Sequence, residues 1–177
     1  MFEHFCLSLC EIYNSINQFM NEKAKIGSDF ERFVIDCFHF KTHPSLRLLE
    51  WQGDKIDING VYPEANRNPD MVVSVKVGGY EYRFAVECKY RSSASDGVVY
   101  WANREKIEIY NRFSDERLMP VFVVIGIGGT PSDPESVYIV PLHYLRYGKV
   151  NVAALELFKR KDPKAQFIYI GPKMILY

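Results

Sequence analysis

The stretch 70–89 constrains the fold of this chain more than any other part of its sequence. Gly78-Gly79 stands at its centre, and such a pair is a strong signal for the two-residue turn of a β-hairpin. A turn at these glycines makes one face of the hairpin apolar throughout, while Lys76 opposes Glu81 on the other face. The apolar pairs would be Met71–Val86, Val73–Phe84, Val75–Tyr82 and Val77–Tyr80. This clean division predicts an antiparallel hairpin over 71–91 in that register.

The same register sets the carboxylate of Asp70 directly across from that of Glu87. Side chains in opposed positions lie about 5 Å apart at Cβ, and like charges there destabilise a sheet. At an effective dielectric constant near 20 the repulsion is roughly 3 kcal/mol. Something should offset it: a divalent cation, a basic neighbour or a raised pKa. Lys89 is a candidate neighbour, because it lies two residues after Glu87 and points to the same face.

Two carboxylates and an ammonium at one end of a hairpin suit the metal-assisted cleavage of phosphodiesters. Carboxylates hold Mg²⁺, which keeps several of its waters, and a nearby cation stabilises charge that develops on phosphate. A simpler interpretation also stands, because charged residues often alternate on the open face of an antiparallel strand. On that interpretation Asp70 and Glu87 are a solvated strand end, and Lys89 is their ion-pair partner.

Apolar periodicity and turn signals predict the other elements. Helices are expected at 2–20 and from Ser28 onward, since Gly27-Ser28 interrupts the pattern and Ser28 with Glu31 forms a capping-box signature. Further expected elements are a weak strand near 51–58, a helix at 99–115, strands at 120–126 and 137–140, a helix at 151–160 and a hairpin over 166–177. The length of 177 residues favours one domain.

Pro69-Asp70, seventeen residues before Glu87-Cys88-Lys89, resembles the motif of the PD-(D/E)xK nuclease superfamily. The resemblance implies an α/β fold of the restriction-endonuclease-like class, an α-β-β-β-α-β core with a mixed central sheet. The core would cover 26–140 of the single domain 1–177. An extra N-terminal helix would occupy 1–22, and 141–177 would form a C-terminal extension that ends in a hairpin.

The resemblance also implies a site. Asp70 and Glu87 would hold Mg²⁺ or Mn²⁺, and Glu31 on the first core helix would assist as a metal ligand for that ion or for a second one. Lys89 would be the catalytic lysine that stabilises charge on the attacking water or on the phosphate.

Three further residues are candidates for nucleic-acid binding. Lys106-x-x-x-Tyr110 matches a family element on the helix after the hairpin, except that lysine replaces the family's glutamine. Arg91 shares the face of Lys89 and could bind a phosphate as a fork donor. Helical spacing equally allows Tyr110, like Trp101, to be a core residue.

Composition bounds the partners. Lys plus Arg equal Asp plus Glu at 22 each, so attraction to DNA must come from a local patch. The four cysteines show no metal-binding spacing, which favours reduced thiols in a cytoplasmic protein. No apolar run is long enough to span a membrane. The loop Gly126-Ile-Gly128-Gly129 lacks the third glycine of a dinucleotide fingerprint, so no nucleotide cofactor is expected.

The sequence therefore predicts a metal-dependent nuclease that acts on DNA. The alternative is a catalytically inactive module of the same fold that binds nucleic acid or a protein. The apolar stripe of 2–20 adds a third hypothesis, in which this helix mediates association as a homo-oligomer or with an accessory subunit.

Overall fold

The computed structural model describes residues 2–52 and 68–177, with side chains from residue 14 onward apart from residue 172. Its helices are α1 (Phe2–Phe38), α2 (Arg104–Arg117) and α3 (Val152–Leu155). Its strands are β1 (Leu46–Trp51), β2 (Met71–Val77), β3 (Tyr80–Arg91), β4 (Val98–Tyr100), β5 (Val121–Ile127), β6 (Ser136–Pro141), β7 (Lys149–Asn151), β8 (Tyr169–Ile170) and β9 (Ile175–Leu176). Short 3₁₀ turns lie at 142–144, 156–158 and 171–173.

The central sheet of the described residues has five strands in the order β1-β2-β3-β5-β6. Strands β3 and β5 are parallel, and the other neighbours are antiparallel. A parallel pair needs a crossover connection, which β4 and α2 supply here. The order α1-β1-β2-β3-α2-β5 confirms the predicted α-β-β-β-α-β core of an α/β fold with a mixed central sheet. Strand β6 extends this core at one edge.

The hairpin of β2 and β3 confirms the predicted register pair by pair, from Met71 opposite Val86 to Val77 opposite Tyr80. Gly78 and Gly79 form its turn with φ values of 57° and 86°. These left-handed conformations cost glycine little, which explains why two glycines stand there.

The sheet separates two hydrophobic cores. Helix α1 covers one face with Phe30, Val34 and Phe38, and the β8–β9 hairpin adds Tyr169 to the same core. Helix α2 covers the other face, where Trp101 packs among the buried residues. Side chains alternate along β3, so Phe84, Val86 and Cys88 join the first core and Ala85 joins the second. Glu87 and Lys89 have the parity of Ala85 and therefore belong to the α2 face.

Some predicted boundaries are wrong. Helix α1 runs unbroken through Gly27-Ser28, so Ser28 is not an N-cap and the capping box with Glu31 does not exist. Helix α2 begins at Arg104 rather than at 99, because 98–100 form strand β4. The first strand lies at 46–51, and most of the predicted strand at 51–58 falls outside the described residues.

The C-terminal extension is partly as predicted. In place of a helix over 151–160, α3 ends at Leu155 and a 3₁₀ turn follows. The late hairpin is confirmed, although its strands are only two residues each. None of the helices in the described part of the chain is long and apolar enough to cross a membrane.

Candidate active site

Asp70 lies at the start of β2 and is held tightly against β3. Its carboxylate is 4% exposed, and Oδ2 accepts a hydrogen bond of 2.7 Å from the backbone N–H of Cys88. The Asp70 carbonyl accepts a second one, 2.8 Å long, from the N–H of Gln52 at the end of β1. Two neighbouring strands therefore fix this residue beside Glu87.

Glu87 is a buried carboxylate, 1% exposed, on the α2 face of β3. Its Oε1 lies 2.5 Å from the Nζ of Lys89, and the lysine side chain is 27% exposed. Its Oε2 is buried and has no hydrogen-bond partner among the described residues. The ion pair thus satisfies one oxygen of Glu87 and leaves the other available.

Lys89 carries its positive charge at this site. Burial by itself lowers the pKa of the Lys89 ammonium, but the neighbouring Glu87 and Asp70 carboxylates outweigh it and raise that pKa above its ordinary value. Lys89 is therefore protonated at neutral pH and cannot accept a proton there.

Tyr110 reaches the site from helix α2. Its side chain is 1% exposed and stacks on Trp101 with 6.4 Å between ring centroids. Burial, followed by the charge of Glu87 and a hydrogen bond to that carboxylate, raises the pKa of Tyr110 far above its ordinary value. The hydroxyl is thus a permanent donor that holds Glu87. Such burial places Tyr110 to contact the carboxylate rather than a nucleic-acid strand.

Lys106 and Arg91 are the two remaining basic candidates. The Nζ of Lys106 lies 5.5 Å from the centroid of the Tyr110 ring, so these two residues of α2 are in contact beside the site. Arg91 donates from Nε to the carbonyl of Tyr100 at 2.6 Å and from Nη1 to that of Tyr90 at 2.7 Å. Burial lowers the pKa of Arg91. Since its acceptors are neutral carbonyls, they orient the guanidinium without cancelling its charge.

Glu31 approaches from the opposite side of the sheet. Its Oε2 accepts a hydrogen bond of 3.1 Å from the indole N–H of Trp51, at the end of β1. Its charge is felt by the Cys88 thiol, whose pKa is raised chiefly by burial and then by Asp70, Glu31 and Glu87. Sequence reasoning missed Trp51, because nothing in the local sequence indicates a partner on a distant helix.

Asp70 and Glu87 fit a hard divalent cation as a pair of ligands. No group of three or more His, Cys, Asp or Glu side chains that could hold a metal ion occurs in the described ranges. Mg²⁺ commonly needs only one or two protein carboxylates and fills its other positions with water or substrate oxygens. The unpartnered Oε2 of Glu87 is the donor atom such an ion requires.

Comparisons with known proteins found similarity to solved structures. No protein-family model and no curated protein matches the sequence. The chain is similar to Hjc, a Holliday junction resolvase from the archaeal hyperthermophile Archaeoglobus fulgidus. The TM-score is 0.49 at 16% sequence identity, and the match covers 74% of this chain and 88% of that one.

Proposed function

We propose that this chain is a divalent-metal-dependent nuclease that hydrolyses phosphodiester bonds in DNA. The observation that carries the proposal is the buried Glu87 carboxylate, which has one oxygen on Lys89 and the other without a described partner, beside Asp70. Two buried carboxylates facing one ammonium leave a net negative charge in a region of low dielectric constant, and uncompensated charge there is costly. A cation bound between them would remove that cost. DNA is the substrate that the PD-(D/E)xK resemblance implies.

Each residue of the site would have its own role. Asp70 and Glu87 would hold Mg²⁺ or Mn²⁺, and Glu31 would act from the far face on the ion or on the waters around it. When bound, the ion supplies Lewis-acid stabilisation of the phosphoryl oxygens and makes a nearby water a better nucleophile. Lys89 would place its ammonium near the phosphate, where negative charge grows in the transition state. Tyr110 is a positioning residue that acts through Glu87.

Arg91 and Lys106 would contact phosphates other than the scissile one. Arg91 uses Nε and Nη1 to donate to two carbonyls, and its remaining N–H groups could donate to phosphate. Guanidinium groups bind phosphate oxygens as a fork. Lys106 is half-buried, lies 5.5 Å from the centre of the Tyr110 ring and would supply a point charge.

A cleavage assay with matched variants tests the proposal. Asp70→Asn and Glu87→Gln should abolish Mg²⁺-dependent nicking of plasmid DNA and cleavage of single strands. Glu108→Gln should leave cleavage unchanged, because Glu108 is an exposed α2 residue paired with Arg104. Calorimetric titration of Mn²⁺ should show binding by the wild type that Asp70→Asn removes.

The opposite results would favour the inactive module. If the wild type neither binds Mn²⁺ nor cleaves DNA, then the ion pair with Lys89 alone offsets the buried negative charge of Glu87. The fold would then serve to bind nucleic acid or a protein. Cleavage that survives Asp70→Asn would instead place the active centre elsewhere.

We also propose a cytoplasmic location and a partner for target recognition. Cys37 and Cys88 are free and buried, which fits a reducing compartment. The net charge of zero supplies no long-range attraction to DNA, so a second copy or an accessory subunit would deliver the target. Sedimentation at several concentrations, alone and with DNA, would separate these two possibilities.

A further inference from the structure

Strands β4 and β7 form a separate two-stranded ribbon beside the central sheet. Val99 is 1% exposed, and Val150 packs against the α2-side core. Because side chains alternate along a strand, the neighbours of these two valines on β4 and β7 point outward. Tyr100 and Lys149 are directly paired across the two strands and therefore share this outer face. We call the surface formed by these two residues, with Arg146 and Tyr147 just before β7, the β4–β7 ribbon face.

The ribbon face combines exposed rings with unpaired cations. Tyr100 is 63% exposed and Tyr147 is 76% exposed. Arg146 and Lys149 are both exposed, and neither forms an ion pair within the described residues. A groove of about 490 Å³ runs along the outer face past Tyr100 and Lys149, with Asp96 as the acidic residue in its lining. Exposed aromatic rings are costly in water, so this composition suits a partner that offers both flat apolar surfaces and negative charge.

The ribbon is joined directly to the candidate active site. The carbonyl of Tyr100 accepts the hydrogen bond from Arg91, which lies two residues beyond Lys89 on β3. Trp101 stacks on Tyr110, and its indole N–H donates to the carbonyl of Tyr147 at 2.7 Å. Two residues of strand span roughly 7 Å, so Arg91 and the Tyr100 carbonyl that it binds lie just beyond Lys89 along β3. A nucleic-acid strand whose scissile phosphate lies at Lys89 would therefore pass close to the ribbon face.

We propose that the β4–β7 ribbon face binds a single-stranded segment of the nucleic acid next to the scissile phosphodiester. The inference rests on the proposed nuclease function. Tyrosine rings bind unpaired bases by stacking, whereas a duplex hides the faces of its bases. Arg146 and Lys149 would neutralise the phosphates of the same segment. The substrate class would then be DNA with an unpaired stretch beside the cut.

Fluorescence anisotropy with a labelled oligothymidylate in EDTA tests the proposal without cleavage. Tyr100→Ala should weaken binding by about five- to a hundred-fold, the range seen when one stacking side chain is removed. Tyr100→Phe should bind like the wild type, because the ring is kept. Lys149→Ala should reduce the slope of log affinity against log salt by about 0.7. Tyr80→Ala is the matched control, since Tyr80 is 71% exposed at the far turn of the β2–β3 hairpin.

The outcomes separate this proposal from the nuclease proposal. Unchanged binding by Tyr100→Ala, or an equal loss by Tyr80→Ala, would overturn the ribbon face even if Asp70→Asn abolished cleavage. An equal loss of affinity for duplex and single strand would also overturn it, because stacking requires unpaired bases. Selective loss of single-strand binding would support it, and would do so even if the wild type proved unable to cleave.

Discussion

Replacement of Lys89 by methionine is the most informative perturbation of this site in the absence of metal. Methionine keeps much of the apolar stem of the lysine and removes the ammonium, so the change acts on charge more than on packing. Glu87, whose side chain is 2% exposed, would then lose its one ion-pair partner and remain beside the Asp70 carboxylate. We expect Lys89→Met to destabilise the metal-free protein.

The expected cost follows from burial. Removing one partner of a fully buried ion pair typically costs about 3–5 kcal/mol. The Lys89 side chain is 27% exposed, so water can reach the vacated position, and the lower end of that range, about 3 kcal/mol, applies. For a domain of this size each kcal/mol corresponds to roughly 2–4 °C in Tm, which gives a decrease of about 6–12 °C.

Thermal unfolding followed by circular dichroism in EDTA measures this decrease. The double variant Glu87→Gln with Lys89→Met should recover most of it, because no buried charge is then left unpaired. Lys164→Met is the surface control, since Lys164 pairs with Asp133 where both side chains are more than half exposed, and it should leave Tm unchanged. A decrease below about 2 °C for Lys89→Met would refute the reasoning, because Glu87 would then have to be solvated or neutral.

Three further predictions test the surroundings of the site. Tyr110→Phe should lower the free energy of unfolding by about 2 kcal/mol in urea titrations, since a buried hydrogen bond to the charged Glu87 is lost. Burial raises the pKa of the Cys37 thiol from 9.0 to about 11, so its contribution to stability is complete below pH 9 and is lost as pH rises through 11. The difference in unfolding free energy between wild type and Cys37→Ala should therefore shrink by about 2–3 kcal/mol over that interval. Glu31→Gln should keep the hydrogen bond from Trp51, and hence the Tm of thermal unfolding, and should lower Mg²⁺-dependent nicking of plasmid DNA because the charge that assists the metal is lost.

The hairpin could be read from sequence because its information is local. Gly78-Gly79 fixes the turn, and a slip by one residue would turn every apolar side chain to the wrong face. The opposition of Asp70 and Glu87 followed from that register, and so did the face shared with Lys89. All three residues occur within twenty positions of one another, where the period of a strand determines which face each side chain takes.

The errors arose where distant contacts decide the structure. Strand β4 forms because it pairs with β7, which lies about fifty residues later in the chain. Trp101 therefore lies in the connection between β4 and α2 and not within the helix. Asn103 marks the true start of α2 by accepting a hydrogen bond from the N–H of Lys106, a cap that the sequence contained. A break was expected at Gly27, but a glycine inside a helix costs only about 1 kcal/mol. Burial of Phe30, Val34 and Phe38 on the continued helix offsets that cost.

The proposed function requires a chain without net charge to bind DNA beside two carboxylates. Its electrostatic attraction for DNA must therefore be concentrated near the site. Lys89 is committed to Glu87, so it supplies little attraction beyond the reacting phosphate. Arg91 has only neutral carbonyl partners and keeps its full charge, but one guanidinium releases few counterions and gives a weak, salt-sensitive grip. Besides the charges of Arg146 and Lys149, part of the affinity must therefore come from contacts that salt does not screen. The exposed rings of Tyr100 and Tyr147, joined to the site through Arg91 and Trp101, are placed to supply them.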